Sequence, residues 1–365
     1  MEGEIYNFMK VWLSVYISSC YCYFTSKIVP KGTKRLLLVL PIVGFFLYLP
    51  LKLFTINLGG PTAFFIAWLA NFKLLLFAFG QGPLSSDPSI SLSKFVALSC
   101  LPIKIQEKVT PKRLIEENPT QKSYLSDQNR EKTSPEKLKE GLIYYAVMGI
   151  MLATLIRVYD YADYIHPKII LCLYCIHIYV SLEIILAMVA TLARATLGLE
   201  LEPHFNKPYL STSLQDFWGR RWNLMVTGIL RPTVYHPTLK IATRVIGREW
   251  ATVPAVMVTF LVSGLMHDLM FFYMGRVRPT WEVTWFFVLH GFCLLVEIRL
   301  KKAFTDRCRV PRVIAGPLTI GFVVVTGVWL FFPQFIRCKA DVRGLGEYAA
   351  LGGFVKNAWR REIFK

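Results

Sequence analysis

Residues 252–273 read Thr-Val-Pro-Ala-Val-Met-Val-Thr-Phe-Leu-Val-Ser-Gly-Leu-Met-His-Asp-Leu-Met-Phe-Phe-Tyr, and Asp268 is the only formally charged residue among them. A continuous apolar run of about 18 residues or more is long enough to cross the hydrocarbon layer as one helix. Blocks of similar texture occupy 6–24, 36–54, 62–79, 142–156, 169–192, 281–298 and 313–332. The apolar residues lie in these blocks and not in stripes of helical or strand period. With 54% hydrophobic residues in 365 and a mean hydropathy of +0.43, the pattern predicts an all-α, polytopic membrane protein of about eight transmembrane helices. No repeat of fixed period interrupts it, so residues 1–365 read as one membrane domain.

Between the blocks lie polar stretches. The longest, 81–140, is rich in Ser, Pro, Lys and Glu and reads as a cytosolic loop, with a short amphipathic helix near 90–98. The run 222–230 is apolar but too short to span, which predicts a re-entrant or interfacial helix. The formal charge of +18 falls between apolar blocks, as the positive-inside rule requires, and not on one face of a compact core as a nucleic-acid-binding protein would have it. It also suits anionic head groups and phosphate-bearing ligands. Lys and Arg cluster after the first and third blocks and in 299–312, which places the first residues in the lumen and 81–140 in the cytosol. The tail resists this parity. Arg337, Lys339, Arg343, Arg360 and Arg361 would fall in the lumen, unless 345–359 re-enters or a span is miscounted.

The eight cysteines include a C-x-x-C at Cys172 and Cys175. It sits in an apolar run with no second ligand pair, and reads as small buried helix residues, not as a metal site. The first residues carry no basic n-region and no small-residue cleavage site, so the first block is expected to be retained.

Ionisable residues within a span cost about 2.5–3.5 kcal/mol on insertion scales and are therefore informative. His267 is one. A neutral imidazole at that depth is a competent general base if a lipid hydroxyl reaches it. Ser263 lies one turn earlier on the same face and is expected to orient it, whereas Asp268 points about 100° away. His177 and Glu183 share a span at a spacing that does not place them on one face, so they are no obvious pair; cavity lining is the functional alternative for Glu183. His166 and His204 read as loop residues, His236 sits beside Pro237, and His290 reads as a packed or interfacial histidine. The second cluster is Leu214-Gln-Asp-Phe-Trp-Gly-Arg-Arg-Trp-Asn223, where Asp216 stands near Arg220 and Arg221 and ahead of Trp218, Trp222 and Asn223. Aromatic belts alone do not require that carboxylate or that carboxamide. An ion pair would lock the turn, and Asn223 could donate to a developing oxyanion.

Asp216-Phe-Trp-Gly-Arg-Arg-Trp-Asn223 followed by His267, with Pro203-His-Phe-Asn-Lys-Pro-Tyr-Leu upstream and Val262-Ser-Gly-Leu-Met-His-Asp268 downstream, resembles the plant wax synthase branch of the membrane-bound O-acyltransferases. The specific part is 203–270, the motif-bearing catalytic region. The resemblance implies His267 as catalytic base and Asn223 as its partner. It implies Asp216, Trp218, Arg220, Arg221, Trp222 and Ser263 as substrate- or coenzyme-A-contacting residues, with the two arginines toward phosphates. Direct acyl transfer from acyl-CoA to a lipid alcohol drawn from the bilayer is expected, with acyl-CoA as co-substrate, no cofactor, no metal and no nucleic acid. A long-chain fatty alcohol is the first expectation for the acceptor. Diacylglycerol with acetyl-CoA, or a sterol, are alternatives within the branch, and a transporter or channel is the alternative outside it. The resemblance also implies a multi-pass protein of the endoplasmic reticulum membrane.

Overall fold

A computed structural model describes residues 2–87, 89–103, 135–198, 201–303 and 311–363. The chain divides into two compact units, 1–104 with 203–365, and 105–202.

The first unit holds α1 (Glu2–Ile28), α2 (Thr33–Tyr48), α3 (Ile56–Ala78), α4 (Leu92–Cys100), α7 (Leu224–Leu230), α8 (His236–Ile246), α9 (Thr252–Gly275), α10 (Glu282–Ala303), α11 (Arg312–Arg337) and α12 (Ala340–Ile363). The second holds α5 (Pro135–Tyr159) and α6 (Pro167–Leu197). Among the described residues seven helices are long and apolar enough to cross a membrane, namely α2, α3, α5, α6, α9, α10 and α11. The first apolar block forms the 27-residue α1, whose Glu2, Glu4 and Lys10 dilute its apolar character. The expected short segment at 222–230 is α7, which turns through Arg231–Tyr235 into the amphipathic α8. Ile241, Val245 and Trp250 are exposed along and just beyond α8.

Helices α9 and α10 form the tightest pair. A Cβ on Gly264 would lie 2.8 Å from the Thr284 Cα, and one on Gly291 would lie 3.0 Å from Phe260. Small residues let two backbones approach this closely in a bilayer, where packing replaces the hydrophobic drive. Asp268, turned away from His267 as its position predicts, is buried at this seam. Its Oδ2 accepts from the Thr284 N–H at 3.2 Å and from the Thr284 hydroxyl, satisfying an orphan donor at the start of α10.

The 90–98 segment differs in depth from the expectation of a surface helix. Helix α4 descends beside α1: Tyr23 Oη donates to the Ile90 carbonyl at 3.3 Å near the end of α1, and Ser99 Oγ to Ser19 Oγ at 3.0 Å one turn deeper. Here Leu98, Ser99 and Cys100 are buried away from water, and a helix leaves bare carbonyls at its C-terminal end. Lys73 on α3, fully buried, meets them. Its ammonium donates to the Leu98 and Leu101 carbonyls at 2.7 and 2.6 Å. Lys73→Met would leave both acceptors unmet. We expect a loss of about 2 kcal/mol, read as a lower melting temperature of the detergent-solubilised protein.

The start of the tail lies on the opposite face. Glu4 accepts from the backbone N–H groups of Phe54 and Thr55 at 2.7 and 2.9 Å. Glu347 on α12 accepts from those of Ile56 and Asn57 at 2.6 and 2.8 Å. Both carboxylates thus cap the start of α3. Arg343 donates to the Met274 carbonyl at 2.6 Å, and Arg337 pairs with Glu282. The first residues, the 49–56 turn, the end of α9 and the start of α12 therefore share the side that the Lys/Arg pattern assigns to the lumen. Arg337 and Arg343 lie there with their donors committed to backbone and carboxylate. Residues 340–363 form one continuous helix.

Candidate active site

His267 stands on α9 amid aromatic rings drawn from three other elements. Phe287 of α10 stacks on it at 4.4 Å between centroids and 26° between planes. Trp68 of α3 meets it edge-on at 4.9 Å, and Phe331 of α11 at 5.8 Å. Trp68 and Phe331 both stand on π-helical turns, Phe64–Ala70 and Gly327–Phe331. Such wide turns are frequent at functional sites. The His267 Nδ1 lies 2.8 Å from the Ser263 carbonyl. A carbonyl only accepts, so Nδ1 carries the proton and Nε2 presents a lone pair. Nε2 has no hydrogen-bond partner among the described residues. The orienting group is thus the Ser263 backbone carbonyl, one helical turn back. The ring is half-buried, shielded but not sealed.

Asn223 starts α7. Its backbone is left-handed, with φ 40° and ψ 66°, a region that Asn tolerates better than most residues. Its Oδ1 accepts from the Val226 N–H at 3.3 Å, capping the helix. The carboxamide Nδ2 makes no hydrogen bond among the described residues and stays available as a donor. Asn223 and His267 are not hydrogen-bonded to each other. They are joined through shared neighbours: Val226 and Leu230 of α7 pack with Trp68, and Trp218, five residues before Asn223, meets Phe287 at 5.7 Å.

The turn between Leu214 and Asn223 is held by charge. The Arg221 Nε donates to Asp216 Oδ2 at 2.7 Å, and its Nη1 to the Asn206 and Lys207 carbonyls at 3.2 and 3.4 Å. This is the ion-pair lock the sequence implied. Glu297 of α10 accepts from the Leu214 N–H at 2.7 Å. Trp222 stacks on Phe217 at 5.4 Å and meets Phe205 at 5.2 Å, which places it under the turn. A cavity of about 930 Å³ opens beside the turn, lined by Arg220, Arg221, Lys301, Arg312 and the apolar Ile320. Lys301 is engaged by Glu297 at 2.7 Å. Arg220 and Arg312 have no ion-pair partner among the described residues, so of the two arginines singled out from sequence, Arg220 is the free cation and Arg221 the clasp. Lys301 and Arg312 escaped the sequence reading because only the fold brings α10 and α11 to this turn.

Four further histidines are packed or bonded away from the His267 ring. His166 caps α6, accepting from the Lys168 N–H at 3.3 Å. His204 is buried against the Pro102 carbonyl. His290 is fully buried between Trp218 and Thr326. In the second unit, His177 packs against Tyr159 at 5.6 Å and not against Glu183. Glu183 has one buried carboxylate oxygen without a partner among the described residues. Cys172 and Cys175 lie within α6.

The profile of the Membrane bound O-acyl transferase family matches residues 201–289, the span that holds Asn223, His267 and Phe287. Acyl-CoA–sterol O-acyltransferase 1 of Arabidopsis thaliana is 51% identical over 97% of this chain and 98% of its own. Long-chain-alcohol O-fatty-acyltransferase of Simmondsia chinensis is 45% identical over 98% of this chain and 97% of its own. Similarity of this extent, running from end to end, makes the chain a member of the membrane-bound O-acyltransferase family. Within that family it belongs to the wax synthase-like branch, and it is a multi-pass membrane O-acyltransferase.

Proposed function

We propose that the protein transfers an acyl group from acyl-CoA directly to a lipid alcohol, foremost a long-chain fatty alcohol, in the endoplasmic reticulum membrane. The observation that carries this reading is the unpartnered His267 Nε2, oriented by the Ser263 carbonyl inside an aromatic enclosure. The alcohol hydroxyl donates to Nε2 as its oxygen attacks the thioester carbonyl, and the proton moves to the imidazole. The Phe287 face favours the imidazolium so formed. The Asn223 Nδ2 donates to the oxyanion of the tetrahedral intermediate. Collapse expels the thiolate of coenzyme A, which takes the proton back from His267, and the ester leaves into the bilayer. No acyl-enzyme is formed.

The basic cavity supports the donor assignment. Its free cations suit the phosphates of coenzyme A, and the apolar Ile320 continues the wall along α11. Arg220→Gln and Arg312→Gln are each expected to raise KM for acyl-CoA about tenfold, a loss of one charged hydrogen bond or ion pair, with kcat unchanged and a weaker dependence of KM on salt. Steady-state kinetics at two ionic strengths check this.

The 51% identity to a sterol O-acyltransferase favours a second reading, a sterol acceptor. Purified protein, acyl donors from acetyl to long-chain, and fatty alcohol, sterol and diacylglycerol acceptors, with products resolved by mass spectrometry, separate the two. Wax ester as the main product supports the first reading and steryl ester the second. No ester with any pair overturns both.

A further inference from the structure

His290 is fully buried in the middle of α10, and both its ring nitrogens are used. The Trp218 Nε1, which can only donate, lies 3.1 Å from Nδ1. The Thr326 hydroxyl donates to the Phe322 carbonyl at 2.7 Å and lies 2.8 Å from Nε2, where it must accept. The directions fix the tautomer: Nδ1 bears the lone pair, Nε2 bears the proton, and the ring is neutral. The chain Trp218–His290–Thr326–Phe322 crosses three elements, the 217–221 turn, α10 and α11, and every polar atom in it is satisfied. Phe286 at 4.3 Å and Phe322 at 5.0 Å close over the imidazole.

The indole so held is the joint between the two groups of the active site. On one side Trp218 meets Phe287, the ring stacked on His267. On the other, its carbonyl accepts from the Thr227 hydroxyl of α7 at 3.2 Å, four residues beyond Asn223. We infer that His290 is a positioning residue for acyl transfer, which by gripping the Trp218 indole sets where the turn bearing Asn223 stands relative to His267. This rests on the reading of His267 and Asn223 given above. His290 has no lone pair or proton to spare and touches neither reacting atom by this account, so it is no second base.

The test is a set of variants in the full-length protein, assayed in proteoliposomes with acyl-CoA and whichever acceptor the wild type esterifies. His290→Leu leaves the indole N–H unmet and is expected to lower kcat tenfold or more, with KM for acyl-CoA within twofold of wild type. His290→Gln supplies one acceptor and one donor and is expected to recover most of that loss. In a Trp218→Phe background, His290→Leu is expected to cost less than threefold further, because its partner is already gone. The pH profile of kcat/KM is expected to keep its wild-type position in all active variants. Equal losses in the Leu and Gln variants, additive losses in the double variant, or a displaced pH profile would overturn the inference. Should the Leu variant fail to elute as folded protein on size exclusion, Thr326→Val decides. It removes the acceptor of Nε2 together with the hydroxyl bond back to the Phe322 carbonyl of its own helix, and must lower kcat at constant KM. If the wild type forms no ester, the functional reading fails instead, and independently.

Discussion

His267→Ala is expected to lower kcat for ester formation by about 10²–10⁴-fold, the usual worth of a positioned general base. Alanine keeps the helix, being its best former, and although the Phe287 stack is lost, the closest contacts at the seam of α9 with α10 remain. That seam rests on Gly264, Gly291 and the Asp268–Thr284 bonds. The variant should therefore insert, express and elute like wild type. His267→Gln retains polarity and much of the volume but offers no comparable base, and should be equally inactive. Labelled acyl-CoA with membranes normalised for protein content provides the assay. Turnover within tenfold of wild type in either variant would remove His267 from the mechanism.

Asn223→Gly is the second large effect, expected at about 10²–10³-fold in kcat, as for loss of one oxyanion donor. This substitution separates chemistry from architecture. Glycine adopts the left-handed φ of 40° without strain and loses only a few tenths of a kcal/mol as an N-cap. The melting temperature should thus barely move. Asn223→Asp keeps the Oδ1 that caps Val226 but deletes the N–H donor, and should fail in the same way. A stable Asn223→Gly protein with wild-type kcat would show that the side chain serves the helix and not the reaction.

The apolar blocks made the spans legible because hydrocarbon admits no unsatisfied backbone, and only long helices comply. His267 was legible for a related reason: an imidazole is conspicuous in such a run. The same criterion applied to His290, yet its role depends on Trp218 and Thr326, 72 residues before and 36 after it. No local pattern reports contacts of that separation. Helix α4 was visible as an amphipathic segment, but its depth follows from Lys73, an ammonium 25 residues from the Leu98 carbonyl it meets. The arginines of the tail confounded a charge count because Arg337 and Arg343 are committed to Glu282 and to backbone carbonyls. An ion pair of Asp216 with one of its two neighbouring arginines was readable in the sequence, but not that Arg221 makes it. Nor was the free cation Arg312, since α11 reaches the turn only in three dimensions.

The grip of α10 on the 214–221 turn has a consequence for how deep chemistry can run. Glu297 holds Leu214 and His290 holds Trp218, and seven residues of helix separate the two anchors, about 10 Å of descent at 1.5 Å per residue. Phe287 and the imidazole it covers lie about 5 Å further along the same helix, so that about 15 Å, half the thickness of a hydrocarbon layer about 30 Å thick, separates them from the Glu297 anchor. On the proposed function, a polyanion held at Arg220 and Arg312 would keep its hydration, and only a thioester and its greasy tail would travel on to meet an acceptor arriving sideways from the lipid.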